Sequence, residues 1–264
     1  MVNYEYKPSY DFYRSLLYDI KNSGKYMDYT EVNEQTEEYL LLRHDIEFSV
    51  ERAYEMAKIE EAAGVQSTYL VQITNNAYNA FSDKNLGMLK EIIRMGHHVG
   101  LHFHMGTLTE PEQVRTILPR QVEMLAEMLK QPVDRFSFHR PPTVMLRDEL
   151  EIPGLINLYA KKFFTYTETA EKAVNLDVKY VSDSRHRWNF GYPGAKLFHQ
   201  FRKVHLLTHP YSWTEEGYDN RNNFDSMVEE KMKILLQTFN SECKHFAGVK
   251  DELNIRKSCK REEC

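Results

Sequence analysis

The sequence predicts a parallel α/β fold, either an open sheet or one closed into a barrel. Three observations predict it. Short apolar runs alternate with amphipathic helical stretches along most of the chain. Several runs, such as "YLLL" and "LVQI", are rich in Leu, Val and Ile without strict alternation, as strands buried on both faces are. Five of them break abruptly into charged or imidazole side chains, as a buried strand does where it leaves its sheet.

Residues 8–23 read as an amphipathic helix through Tyr10, Tyr13, Leu16, Leu17 and Ile20, and 24–38 as a polar loop. "EYLLLRHDIE", 38–47, is the first strand. A helix over 49–64 follows, with Ser49 as its cap and Gly64 as its stop. The alternation continues with a strand at 67–73, a helix at 83–96 and the strand "HHVGLHFH" at 97–104. A helix at 110–130, with a kink expected at Pro119, leads to a strand at 135–139. The region 145–200 is less regular, with β-like pieces at "KFFTY", 162–166, and "KYVSD", 179–183. A last strand covers 203–209 and a last helix 224–239. This organisation predicts one domain over 1–248, in which 1–37 form an N-terminal helix and loop extension, and a polar tail over 249–264.

Composition narrows the function. The chain has 264 residues, 42% of them hydrophobic and 28% charged, which is a globular balance. A net charge of −5 with no Lys/Arg-rich block argues against nucleic acid as a partner. No run reaches the ~18 apolar residues of a membrane span. The N-terminus is charged throughout and lacks the apolar core of a secretory signal. The three cysteines, Cys243, Cys259 and Cys264, cluster near the C-terminus, and an odd count fits a reducing, cytoplasmic setting. The 17 Tyr and 14 Phe suit a sugar site and an ordinary core alike.

The strand ends carry the chemistry. "LLLR" runs into His44-Asp45-Ile46-Glu47, "VGL" into His102-Phe103-His104, and "FSF" into His139-Arg140-Pro141-Pro142. "KYV" runs into Ser182-Asp183 and "VHLLT" into His209-Pro210. In parallel α/β folds the carboxyl ends of the strands form the catalytic face. Residues i and i+2 of a strand share a side, so Asp45 pairs with Glu47 and His102 with His104. Mixed imidazole and carboxylate ligation suits zinc and other divalent first-row ions. Taken alone, His102 and His104 are as well explained by a structural role. Together with Asp45, Glu47 and His209, ligation is the better reading. His97 and His98 are expected to be partly exposed and inert. His44 points away from Asp45, and a bond to a backbone carbonyl is expected for it.

"LLRHDIE", "GHHVGLHFH", "FSFHRPP", "YVSDSRHRW" and "LLTHPYSW" occur in the order of the five motifs of the polysaccharide deacetylase (carbohydrate esterase) superfamily. The chain resembles a divergent, bacterial branch of it over roughly residues 38–213. The resemblance implies a distorted (β/α) barrel with about seven strands. It implies a metal-dependent hydrolase that removes an N-acetyl group from a sugar. It assigns Asp45 as catalytic base, Arg140 as the arginine that orients it, and His209 as general acid with Asp183 behind it. Glu47 and His102 match metal ligands. The family's second metal histidine falls on Gly106 here, so His104 is the expected substitute, with His139 the other candidate. One divalent ion, zinc first among the candidates, is the implied cofactor. His139, Pro141, Trp188 and Trp213 are expected against the substrate, an N-acetylated sugar. Without a signal or a span, a nucleotide- or lipid-linked intermediate of surface polysaccharide biosynthesis is the expected form. The alternatives are a catalytically degenerate carbohydrate-binding protein of the same fold and a metal-dependent amidase for a small non-sugar amide.

Overall fold

The computed structural model describes residues 7–108, 110–147, 150–165 and 177–249. The chain forms two compact units, Met1–Gly217 and Tyr218–Cys264. The expected domain over 1–248 runs across both. From residue 250 on, the expected polar tail, with Cys259 and Cys264, lies outside the described residues. No described helix is long and apolar enough to cross a membrane.

The first unit is built on seven strands, every pair of them parallel: β1 (Tyr39–Ile46), β2 (Thr68–Val71), β3 (His98–His104), β4 (Arg135–His139), β5 (Ile156–Asn157), β6 (Lys179–Ser182) and β7 (Lys203–Thr208). Their order in the sheet is β5-β4-β3-β2-β1-β7-β6. The most apolar run, β1, is therefore central, and all eight of its residues are buried. Alternation divides them. Leu40 and Leu42 pack with Tyr13, Leu16 and Leu17 of α1 (Tyr10–Asn22) on the helical side. Tyr39 and Leu41 face inward, with Leu70 and Phe163. Arg43 and Asp45 continue that inner row by the same alternation.

The architecture is a distorted (β/α) barrel. β5 and β6 do not pair, and Phe163 and Phe164, after β5, pack into the space between them. Phe164 meets Tyr180 of β6 with ring centroids 5.2 Å apart. The Phe163 carbonyl accepts from His205 Nδ1 at 2.9 Å. This explains why "KFFTY" is not a strand. Its described residues form a turn and irregular chain, because both phenylalanines fill the interior instead of joining a ladder. The polar loop 24–38 contributes inward-facing groups at the level where the strands begin. Asp28 accepts from buried Arg135 at 2.6 Å, and the Tyr29 hydroxyl lies 2.8 Å from His205 Nε2.

The helices start and stop where local chemistry dictates. α2 (Val50–Ala63) is capped by Ser49, whose hydroxyl accepts from Arg52 N, and ends at Gly64 in the left-handed region, φ 65°. α3 covers Asp83–Arg94, and α4 (Pro111–Leu129) runs on through Pro119. α5 (Thr143–Arg147) straddles the start of the region read as irregular, and α6 (Ala195–Gln200) is a short helix at its end.

Behind the sheet, α2 supplies a fully buried carboxylate, Glu60. Its Oε1 accepts from the Tyr13 hydroxyl at 2.5 Å and His44 Nε2 at 2.8 Å. Its Oε2 accepts from Ser67 Oγ at 2.7 Å and the Tyr69 hydroxyl at 2.6 Å. His44 therefore pairs with a carboxylate, not a backbone carbonyl, and its Nδ1 meets Thr208 Oγ1 on β7 at 2.6 Å. His97, expected to be partly exposed, is buried. Its Nε2 donates to the Ala57 carbonyl and its Nδ1 accepts from Ser67 N.

In the second unit, α7 (Asn220–Glu242) extends the expected helix at both ends. It is capped by Asp219, which accepts from Asn222 N at 2.8 Å. α8 (Phe246–Val249) follows, and Phe246 packs on Phe239.

Candidate active site

All seven strands run the same way, so their carboxyl ends share one rim. Asp45 near the end of β1, Glu47 just beyond it, His102 on β3 and His139 at the end of β4 converge there. Asp183 follows β6 and His209 follows β7.

Glu47, His102 and His139 each offer one ligand atom, and the three atoms lie within 4.8 Å of one another. His139 Nδ1 is 3.0 Å from Glu47 Oε1. His102 Nε2 is 3.2 Å from His139 Nδ1 and 3.9 Å from Glu47 Oε1. Two imidazole nitrogens and one carboxylate oxygen are a donor set that zinc accepts, and three protein ligands leave a position open. His102 Nδ1 contacts Ser137 Oγ, its register partner on β4, at 2.8 Å. That contact fixes which ring nitrogen faces the cluster. The chain around Glu47 is held by Asn75 Nδ2, which donates to the Glu47 carbonyl at 2.5 Å, and by the Tyr78 hydroxyl, which donates to the Ile46 carbonyl at 2.8 Å. Burial works to raise the Glu47 carboxyl, but His102, His139 and His209 outweigh it and hold it well below the usual carboxylate range. The donor set fits a divalent cation.

His104 is not in the set. It is exposed and lies beside His139 in register, ring centroids 5.0 Å apart. Two residues along a strand advance about 6–7 Å, which carries His104 out along the rim past His102. His139, expected against the substrate and the other candidate for the second metal histidine, stands where His104 was expected first.

Asp45 borders the cluster. Its Oδ2 is 3.7 Å from His102 Nε2 and 3.3 Å from Arg43 Nη2. Its buried Oδ1 has no hydrogen-bond partner among the described residues. The arginine beside this carboxylate is Arg43, from two residues upstream on the same inner row. Arg140, assigned that role by resemblance, is exposed at the end of β4 with a left-handed backbone, φ 48°. It forms no ion pair with Asp45. Pro141 follows it, half-buried.

His209 and Asp183 form a dyad. His209 Nδ1 donates to Asp183 Oδ1 at 2.6 Å, and His209 N also donates to the carboxylate, at 3.0 and 3.1 Å. His209 Nε2 is left facing the cluster, 3.8 Å from Glu47 Oε1. Burial disfavours the charged ring, but Asp183, then Glu47 and Asp45, outweigh it and raise the His209 pKa to about 9. Trp213, expected to wall the sugar, is fully buried and donates from Nε1 to Asp183 Oδ2 at 2.8 Å. Trp188 packs edge-on against Trp213 in the cluster that holds α1. Trp213 braces the dyad from its helical side, with Trp188 packed on it. The aromatic pair near the rim is one the sequence reading passed over: Phe48 stands edge-on to Tyr211, centroids 4.9 Å apart. Alternation along β4 already placed Ser137 beside His139, and alternation along β1 placed Arg43 beside Asp45. Asn75 and Tyr78, in the loop after β2, carried no comparable signal.

No protein-family model and no curated protein sequence matches the chain. Solved structures that match it include CE4 family pseudoenzymes, family 4 carbohydrate esterases and a chitin deacetylase. An activity-restored mutant of a CE4 family pseudoenzyme is 14% identical over 76% of this chain, with a TM-score of 0.42. This chain spans 64% of that protein's length. The chitin deacetylase of the fungal pathogen Colletotrichum lindemuthianum is 12% identical, over 73% of this chain and 81% of its own, with a TM-score of 0.40. A family 4 acetyl xylan esterase from Clostridium thermocellum, in complex with a cobalt ion, is 13% identical, over 76% of this chain and 90% of its own, with a TM-score of 0.39.

Proposed function

We propose that this chain is a metal-dependent hydrolase that removes the N-acetyl group of a sugar in the cytoplasm. The observation that carries the proposal is the meeting, on one rim, of a Glu47–His102–His139 ligand set with a carboxylate and an imidazole–carboxylate dyad. A binding module has no use for a base and an acid placed either side of a metal site. The substrate we favour is a nucleotide- or lipid-linked N-acetyl sugar of surface polysaccharide biosynthesis, and zinc is the ion we favour.

When bound, the ion supplies Lewis-acid activation of water and of an acyl carbonyl. Asp45 Oδ1 takes the proton of the attacking water, while Oδ2 stays held by Arg43. His209 Nε2 delivers a proton to the departing amine nitrogen. Asp183 keeps His209 charged and aimed, and the Trp213 indole N–H holds Asp183 in place. Part of the His209 rise comes from Glu47, and a cation at Glu47 offsets that part. The edge-on Phe48–Tyr211 pair offers an apolar wall for a sugar ring.

The test is metal content, together with acetate released from N-acetylated sugar nucleotides and chitooligosaccharides. The protein is purified without chelator or immobilised nickel. We expect near-stoichiometric zinc and measurable acetate. Asp45→Asn should abolish turnover with the metal retained, and His102→Ala should lose both. Protein that takes up no added zinc yet binds the same sugars would replace this reading with a degenerate carbohydrate-binding protein. Release from small non-sugar amides alone would make it an amidase.

A further inference from the structure

We propose that Arg43, and not Arg140, is the positioning residue that aims Asp45. The inference rests on the reading of Asp45 as the base. Arg43 is fully buried in the interior of the barrel, directly below Asp45 on the inner row of β1. Its Nη2 donates both to Asp45 Oδ2, at 3.3 Å, and to the Tyr159 hydroxyl, at 2.9 Å. Its guanidinium carbon lies 4.6 Å from the centre of the Tyr159 ring, so the cation sits over the ring as well as bonding its hydroxyl. Burying a guanidinium is costly, and Nε and Nη1 are both buried with no hydrogen-bond partner among the described residues. A fold that needed only filling at this point would place Met or Leu there. Arg43 instead holds one oxygen of Asp45, and the unpartnered oxygen is the one free to take a proton. Arg140 is exposed, and among the described residues it makes no ion pair with Asp45.

The experiment compares Arg43→Met, Arg43→Lys and Arg140→Ala in the zinc-loaded protein by three readouts: zinc affinity, the Asp45 side-chain orientation in crystals, and kcat and KM measured separately. Met preserves an unbranched buried stem and removes the fork, with its contacts to Asp45 and Tyr159. In Arg43→Met we expect Asp45 to rotate away, kcat to fall about 100-fold, and KM and zinc affinity to change by less than about threefold. Arg43→Lys, which keeps a buried charge, should recover about tenfold of that loss. Arg140→Ala should leave Asp45 in place and kcat within about threefold. If Arg43→Met does not fold, Arg43→Lys decides, by a moved Asp45 and a kcat below wild type at unchanged KM. An unmoved Asp45 in the Arg43 variants, or a loss in Arg140→Ala equal to theirs, overturns the proposal. Wild-type protein that releases no acetate from any probe sinks the proposed function alone, because the Asp45 orientation still reports on Arg43.

Discussion

His139 and His104 are opposite one another in the β3–β4 register, yet only His139 reaches Glu47 and His102. Sequence spacing favoured His104, because i and i+2 on one strand share a side. Alternation says which side a residue takes. It does not say how far along the rim the neighbouring strand has carried its own last residue. Asp45, Glu47, His102, Asp183 and His209 were legible because each ends an apolar run. Arg43 follows from alternation along β1 but ends no apolar run, and so carried no signal of its own. The choice of His139 over His104 as third ligand was not legible, since it depends on which strands become neighbours in space. His139→Ala should therefore weaken zinc binding by more than about 100-fold, the loss of a direct ligand exceeding the 10–100-fold typical of an outer partner. His104→Ala should change it by less than about threefold. Competition titration against a zinc-binding dye measures both. Equal losses would return His104 to the ligand set.

At the scale of the element, the strands were readable from their apolar runs and the long helices from their caps. The short pieces were not. α5 and α6 are only five and six residues long, so packing decides them more than propensity does. "KFFTY" has strand-like composition and fills a gap instead. β3 shows how tightly a strand is committed to its place. Gly100, two residues before His102, lies on the inner row between β2 and β4. A Cβ there would come within 2.7 Å of Arg135 Cγ, of the Arg135 carbonyl oxygen and of Leu70 Cδ2. The backbone oxygen cannot move aside as a flexible side chain does. Gly100→Ala should cost about 1–3 kcal/mol through overpacking. Because β3 carries His102, it should also weaken zinc binding. Urea unfolding reads the first effect and the dye titration the second. A variant as stable as wild type would mean that β3 and β4 separate more easily than their shared interior suggests.

At the scale of the whole first unit, a buried carboxylate behind the sheet joins several elements. In the sequence Glu60 is one acid among several in α2, and His44 and His97 are expected to play no part in the chemistry. Folded, the Glu60 carboxylate takes four hydrogen bonds, from α1, β1, β2 and the chain leading into β2. Through His44 and Thr208 the network reaches β7, next to His209. Burial alone would raise the Glu60 pKa, but His44, His97 and Tyr13 outweigh it and hold it at about 2, against an ordinary 4.5. Its contribution to stability is therefore complete above pH 4.5 and is lost as pH falls from 4.5 towards 2. Burial depresses the His97 pKa below its ordinary 6.5. A histidine kept neutral in this way likewise stabilises the fold fully above 6.5 and less as acid charges the unfolded chain. Both terms have the same sign, so acid should weaken the protein in two stages. Glu60→Gln should cost on the order of 3 kcal/mol at pH 7, because an amide cannot accept from all four donors. The gap from wild type should then narrow steadily below pH 4.5, since the variant has no carboxylate left to protonate there. Urea unfolding at pH 7, 5, 4 and 3 measures that gap directly. A gap that stays constant with pH would show that Glu60 acts through its shape alone and that its charge contributes nothing to the fold.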